Sequence, residues 1–103
     1  MTTVTIYKSN DDIYKGFTCK GHAGYAVSGK DIICASISIL VINTLNSLEE
    51  LAGQEMTVKA DENTGYIDCR FTQECNEKSG LLLDSMILGL ESIAVQYGKK
   101  FLR

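Results

Sequence analysis

The sequence predicts an α+β domain, with two helices packed on a mostly antiparallel sheet in the order ββα-ββα-β. Three observations carry that expectation. Two short hairpin patterns rich in β-branched residues each precede a long apolar segment at helical spacing. Glycines stand just past both long segments. No proline, linker or low-complexity stretch divides the 103 residues, so 1–103 reads as one domain, large enough for a single core.

Taken in order, Thr3 to Ser9 alternates, with Val4 and Ile6 on one face, and is closed by Asn10-Asp11-Asp12, a turn signal. Ile13 to Lys20 pairs back on it and places Phe17 and Cys19 on one side. From Ala23 to Lys30 the chain has no period, and Gly24, Ser28 and Gly29 make it a loop. Asp31 to Ala52 would pass for a buried strand on composition alone. Asp31 as N-cap, the continuation through Leu45, Leu48, Leu51 and Ala52, and Gly53 as a stop favour a helix. Three of its turns are apolar nearly all round, so a sheet and either a second helix or a second subunit must cover it.

Met56 to Ala60 and Tyr66 to Thr72 form a second hairpin, with Val58 facing inward and Ile67, Cys69 and Phe71 sharing a face. Asn76 or Ser79 starts the second helix. Its stripe runs Leu82, Leu83, Met86, Ile87, Leu90, Ile93, Ala94 and Tyr97 and ends at Gly98. Lys99 to Arg103 reads as a last edge strand. Helices stacked on a mostly antiparallel sheet follow from this order.

Composition narrows the function. Ten basic and thirteen acidic residues give a net charge of -3 without a basic run, which disfavours direct nucleic-acid binding. The apolar run from Ile32 to Ile42 is interrupted by Ser36 and Ser38 and is too short to span a bilayer, so no membrane segment is expected. The N-terminus has no basic start, apolar core and small-residue cleavage site. Cys19, Cys34, Cys69 and Cys75 are therefore read as free thiols of a reducing cytoplasm rather than as two disulfides.

The chemistry concentrates between Gly21 and Ser38. His22, the only imidazole, stands at a strand end, and Cys34 stands near a helix start. With Asp31 as cap, Cys34 falls at the third helical position, where unpaired amides and the helix dipole favour thiolate over thiol. An arbitrary cysteine in an apolar helix is more often a small buried hydrophobe. The pairing changes the weighting, because the loop can bring imidazole and sulfur together, and Cys-His pairs perform acyl transfer. First-turn amides can also serve as an oxyanion hole. Ser38, one turn after Cys34, either hydrogen-bonds near the sulfur or bonds back to the Cys34 carbonyl. Asp31 can orient His22 or cap the helix, and the cap is favoured.

Two other motifs fail. Gly24-Tyr25-Ala26-Val27-Ser28-Gly29-Lys30 fits a phosphate-loop spacing, but Asp31 stands where the magnesium-binding Ser or Thr belongs. A zinc site from Cys19, His22 and Cys34 is disfavoured, since strand alternation separates Cys19 from His22 and no C-x-x-C pair exists. No metal site is expected. Cys19 and Cys69 read as core, and Cys75 as structural or exposed.

Gly21-His22-Ala23, a glycine-containing loop, and then Gly29-x-Asp31-Ile32-Ile33-Cys34-Ala35-Ser36-x-Ser38 together resemble the ribosomal-processing cysteine proteases of the Prp family. Length and element order are similar across essentially the whole domain. The resemblance implies a cytoplasmic cysteine endopeptidase with Cys34 as nucleophile and His22 as general base, needing no cofactor. Its substrate would be the N-terminally extended form of a bacterial large-subunit ribosomal protein, number twenty-seven, cut after an aromatic pair and before a small residue. The resemblance also implies a homodimer, a loop that orders on substrate, and supporting roles for Gly21, Asp31 and Ser38. Gly21, Ala23, Gly24 and Gly29 are taken as substrate-loop positions. The competing readings are a non-catalytic ribosome-assembly module that grips a peptide without cutting it, and a thiol redox protein using Cys34.

Overall fold

In the computed structural model the elements run β1 (Thr3–Lys8), β2 (Tyr14–Lys20), α1 (Lys30–Glu50), β3 (Met56–Asp61), β4 (Tyr66–Phe71) and α2 (Glu77–Tyr97). Residues 3–20, 30–61 and 65–97 are described, apart from the side chains of 30–35 and 94–97. The expected last strand, Lys99 to Arg103, lies outside them.

The four strands form one antiparallel sheet in the order β1-β2-β4-β3. Register explains which face is buried. Val4 pairs Cys19, Ile6 pairs Phe17 and Phe17 pairs Cys69, so these residues share a face. Val4, Phe17, Cys19 and Cys69 join Ile37, Val41 and Leu48 of α1 and Leu83, Met86 and Leu90 of α2 in the core. The sequence alternation and helical stripe are thus two sides of one contact, and each fully buried aliphatic or aromatic side chain contributes roughly 1.5–3 kcal/mol. Val58 pairs Cys69 and so lies on the inward face, as expected. It nevertheless stays 40% exposed, because β3 is the outermost strand of the described sheet and the helices do not cover it.

The other face is a polar mosaic. Tyr7 and Arg70 lie on either side of Gly16 in register, and with no side chain between them the Arg70 guanidinium rests 4.1 Å from the Tyr7 ring centroid. Gly16 has φ +150, and a Cβ there would meet the Cys69 carbonyl oxygen at 2.2 Å. Backbone, unlike the end of a flexible side chain, cannot swing aside.

The helices are tied together at one end. Gly53, at φ 61, turns the chain out of α1, and the Gln54 amide donates to the Leu48 carbonyl at 2.9 Å. The buried Gln54 side chain donates to the carbonyls of Gln73 at 3.1 Å and Glu74 at 3.4 Å, and its oxygen accepts from the Asn76 amide at 3.1 Å. Asn76 Oδ1 accepts from the Ser79 amide at 2.8 Å, as an N-cap does. Asn76 Nδ2 donates to the Ala52 carbonyl at 3.0 Å. Of the two expected starts of α2, Asn76 and Ser79, the first is the one taken, with Asn76 as the cap.

The start of α1 differs from expectation. It begins at Lys30, so Asp31 falls inside the first turn rather than at the cap, and Cys34 becomes the fifth helical residue rather than the third. Lys has a higher helix propensity than Asp, which favours carrying the ladder one residue further out. Both helices have 21 residues, about 31 Å each. They run antiparallel, with Leu40 packed on Gly89. Since α1 ends beside β3, its first turn lies at the opposite end of the sheet, where β2 finishes at Lys20 and β4 begins at Tyr66.

Gly16→Ala is expected to lower stability by about 3 kcal/mol or more, from steric conflict plus an unfavourable φ, measured as the shift in urea midpoint. Asn76→Ala is expected to cost about 1–2 kcal/mol, since it removes a cap and a second hydrogen bond, read in the same experiment.

Candidate active site

The chain reaches the candidate site along two routes that the fold makes neighbours. β2 is a central strand, and the segment leading to His22 leaves it at Lys20. α1 brings positions 31, 34 and 38 back along the same end of the domain. Gly21, His22, Ala23, Gly24 and Gly29 lie outside the described residues, as do the side chains of Asp31 and Cys34. Ser38 is half-buried on α1, one turn beyond position 34. It neighbours Ile37, which is fully buried against the sheet and fixes the phase of the helix. The topology thus brings the carriers of His22 and Cys34 to one end of the domain. The N-cap role foreseen for Asp31 is corrected by the earlier helix start.

The sheet at this end holds a small polar group. The Tyr66 hydroxyl donates to Asp68 Oδ2 at 3.3 Å, Arg70 Nε donates to Asp68 Oδ1 at 2.8 Å, and the Lys20 ammonium stands 5.9 Å from the Tyr66 ring centroid. The Arg70 hydrogen bond holds the Asp68 carboxyl below its usual range.

The remaining thiols sort by environment. Cys69 is fully buried, and desolvation pushes its thiol up to about 12. Cys75 is half-buried, and burial together with the Asp84 carboxylate raises it as well. Both are therefore held protonated and poorly nucleophilic. Cys19 is buried in the core, so the expected core roles of Cys19 and Cys69 are borne out. Tyr14 donates to Asp84, and desolvation and that bond push its hydroxyl up to about 12. Among the described residues, no three His, Cys, Asp or Glu side chains are grouped to hold a metal ion. No helix among them is long and apolar enough to cross a membrane.

One feature of the surface was not foreseen. A groove of about 480 Å³ runs between the end of α1 and β3, lined by Glu49, Gly53, Gln54, Glu55, Met56 and Val58. In the sequence Val58 reads as an ordinary inward strand position, and only the strand order shows it to be left uncovered.

Comparison with known proteins agrees with this fold. The family described as Cysteine protease Prp matches residues 1–101. The ribosomal processing cysteine protease Prp of Bacillus subtilis (strain 168) is 34% identical over 101 residues, covering 94% of this chain and 90% of that one. Its counterpart in Staphylococcus aureus (strain Mu50) is 26% identical over 99 residues, covering 96% and 93%. The crystal structure of an essential ribosomal processing protease Prp from S. aureus, in complex with a covalently linked product peptide, superposes with a TM-score of 0.86 at 26% identity. That match covers 100% of this chain and 96% of the other. SMU.848 from Streptococcus mutans gives a TM-score of 0.84 at 28% identity, covering 100% and 94%.

Because Cys69 is held protonated in the fold but ionises near 9 when exposed, its contribution to stability is full below about pH 9. It is lost as pH rises toward about 12. Stability measured by urea unfolding from pH 8 to 11 is expected to fall, with a slope of up to roughly 1.4 kcal/mol per pH unit from this group. Cys69→Ala should flatten that slope.

Proposed function

The chain belongs to the cysteine protease Prp family, and on that premise we propose that it is a ribosomal-processing endopeptidase with Cys34 as nucleophile and His22 as general base. The substrate in this reading is the N-terminally extended form of a bacterial large-subunit ribosomal protein, number twenty-seven. The observation that carries it is the family match across residues 1–101, which spans both the strand leading to His22 and the helix bearing Cys34.

His22 takes the thiol proton, and the Cys34 sulfur attacks the scissile carbonyl carbon to give a tetrahedral oxyanion. Collapse breaks the C–N bond, with His22 returning the proton to the departing amine and leaving a thioester. His22 then deprotonates a water that hydrolyses the thioester and regenerates the thiol. Amides at the start of α1 are suited to hold the oxyanion. The corrected helix start matters here. At the fifth helical position, Cys34 lies at the limit of the dipole's reach, which fades within the first turn and is worth about 0.3–1 kcal/mol. That is less than one pKa unit, so the imidazole must do most of the activation. Gly21, Ala23, Gly24 and Gly29 form the substrate loop in this reading, with Asp31 and Ser38 in support. No cofactor takes part.

The reading further includes a cytoplasmic location and a homodimer. Ile39 at 68%, Leu81 at 70% and Leu88 at 68% exposure support the dimer, as apolar surface that a second copy can cover.

Incubation with the extended ribosomal protein, followed by intact-mass analysis, should give two fragments summing to the precursor plus one water. Cys34→Ala should abolish cleavage with the fold intact, and His22→Ala should slow it roughly 100- to 10,000-fold. Cleavage by Cys34→Ala would overturn the mechanism, and an intact precursor with the wild-type protein would favour a peptide-binding module.

A further inference from the structure

The groove between α1 and β3 lies away from the candidate nucleophile yet along the same helix. Its walls carry Glu49 and Glu55, no basic side chain among the described residues lines it, and Met56 and the 40% exposed Val58 supply an apolar floor. Such a channel favours an extended segment bearing Lys or Arg, whose aliphatic stems lie on the floor while the charged heads meet the glutamates.

Helical geometry connects this groove to the chemistry. Positions 34 and 49 are fifteen residues apart on α1, which is about 22 Å along the axis and about 60° around it. They therefore lie on the same flank. An extended peptide covers 22 Å in about seven residues.

We propose that the groove lined by Glu49, Glu55, Met56 and Val58 is a second substrate-binding site, which grips a basic segment of the polypeptide about six to eight residues from the scissile bond. The inference rests on the protease reading for its choice of occupant. It adds a specificity element distant from the cut. Polypeptides lacking positive charge at that distance are bound less well, whatever their sequence at the scissile bond.

Two peptides test this, both carrying the same cleavage sequence, one with two lysines six to eight residues from the cut and one with alanines there. The wild-type protein should show about five- to tenfold higher kcat/KM on the lysine peptide, through KM and falling as salt rises. The double variant Glu49→Lys/Glu55→Lys should abolish or reverse that preference. Binding of the fluorescently labelled lysine peptide, measured by anisotropy, should weaken in the same variant by a similar factor, and this readout does not depend on cleavage. Binding that discriminates without cleavage would overturn the protease reading and leave the groove assignment standing. Equal kcat/KM on the two peptides, or a preference and affinity unchanged in the variant, would overturn the groove. So would a Val58→Arg variant that changes only the oligomeric state in sedimentation, since the groove would then be covered by a second copy.

Discussion

The hydrogen bonds of the Gln54 side chain set the geometry of the whole domain. This buried amide meets the Gln73 and Glu74 carbonyls and the Asn76 amide, where α1 has just ended and α2 is about to begin. A buried amide group left without partners costs roughly 1–3 kcal/mol, so the three chain segments meeting there hold one another in place. From that anchor the two 21-residue helices run the length of the sheet in opposite directions. The end of α1 that carries Cys34 is positioned by rigid helix, packed through Ile37, Val41 and Leu48, rather than by loop. A residue placed this way depends on distant packing more than on its immediate neighbours.

Most of this fold was legible in the residues, because each buried face has its own period. Phe17 and Cys19, like Ile67, Cys69 and Phe71, recur at spacing two, and Ile37, Val41 and Leu48 at helical spacing, so alternation and stripe pointed to the same core. Asn76 and Gly53 marked helix ends through capping chemistry that acts within a few residues. What the sequence concealed were properties of the third dimension. Val58 has the pattern of a covered residue, and only its place on the outermost described strand exposes it. Asp31 is a good cap in isolation, yet helix boundaries shift by a residue or two when neighbouring propensities are close.

The site was legible in a different way. His22 and Cys34 stood out because they are chemically rare types near predicted element ends, and the family match gives that reading its support. The groove with Glu49 and Glu55 had no such signal. Two glutamates on either side of a glycine turn look like ordinary solvated charge. They become one surface only after Gly53 folds β3 back beside α1.

The uncovered face of the sheet has a consequence for the company this protein keeps. Two of its cations are engaged: Arg70 lies on Tyr7 and bonds Asp68, and Lys20 stands over Tyr66. A phosphate backbone docking there would have to displace those contacts and face the Asp68 carboxylate. Nonspecific capture by nucleic acid draws on unengaged positive charge and counterion release, and the contacts of Arg70 and Lys20 reduce what this face offers of both. The engagement of Arg70 and Lys20 thus loosens any hold that RNA could take on this face.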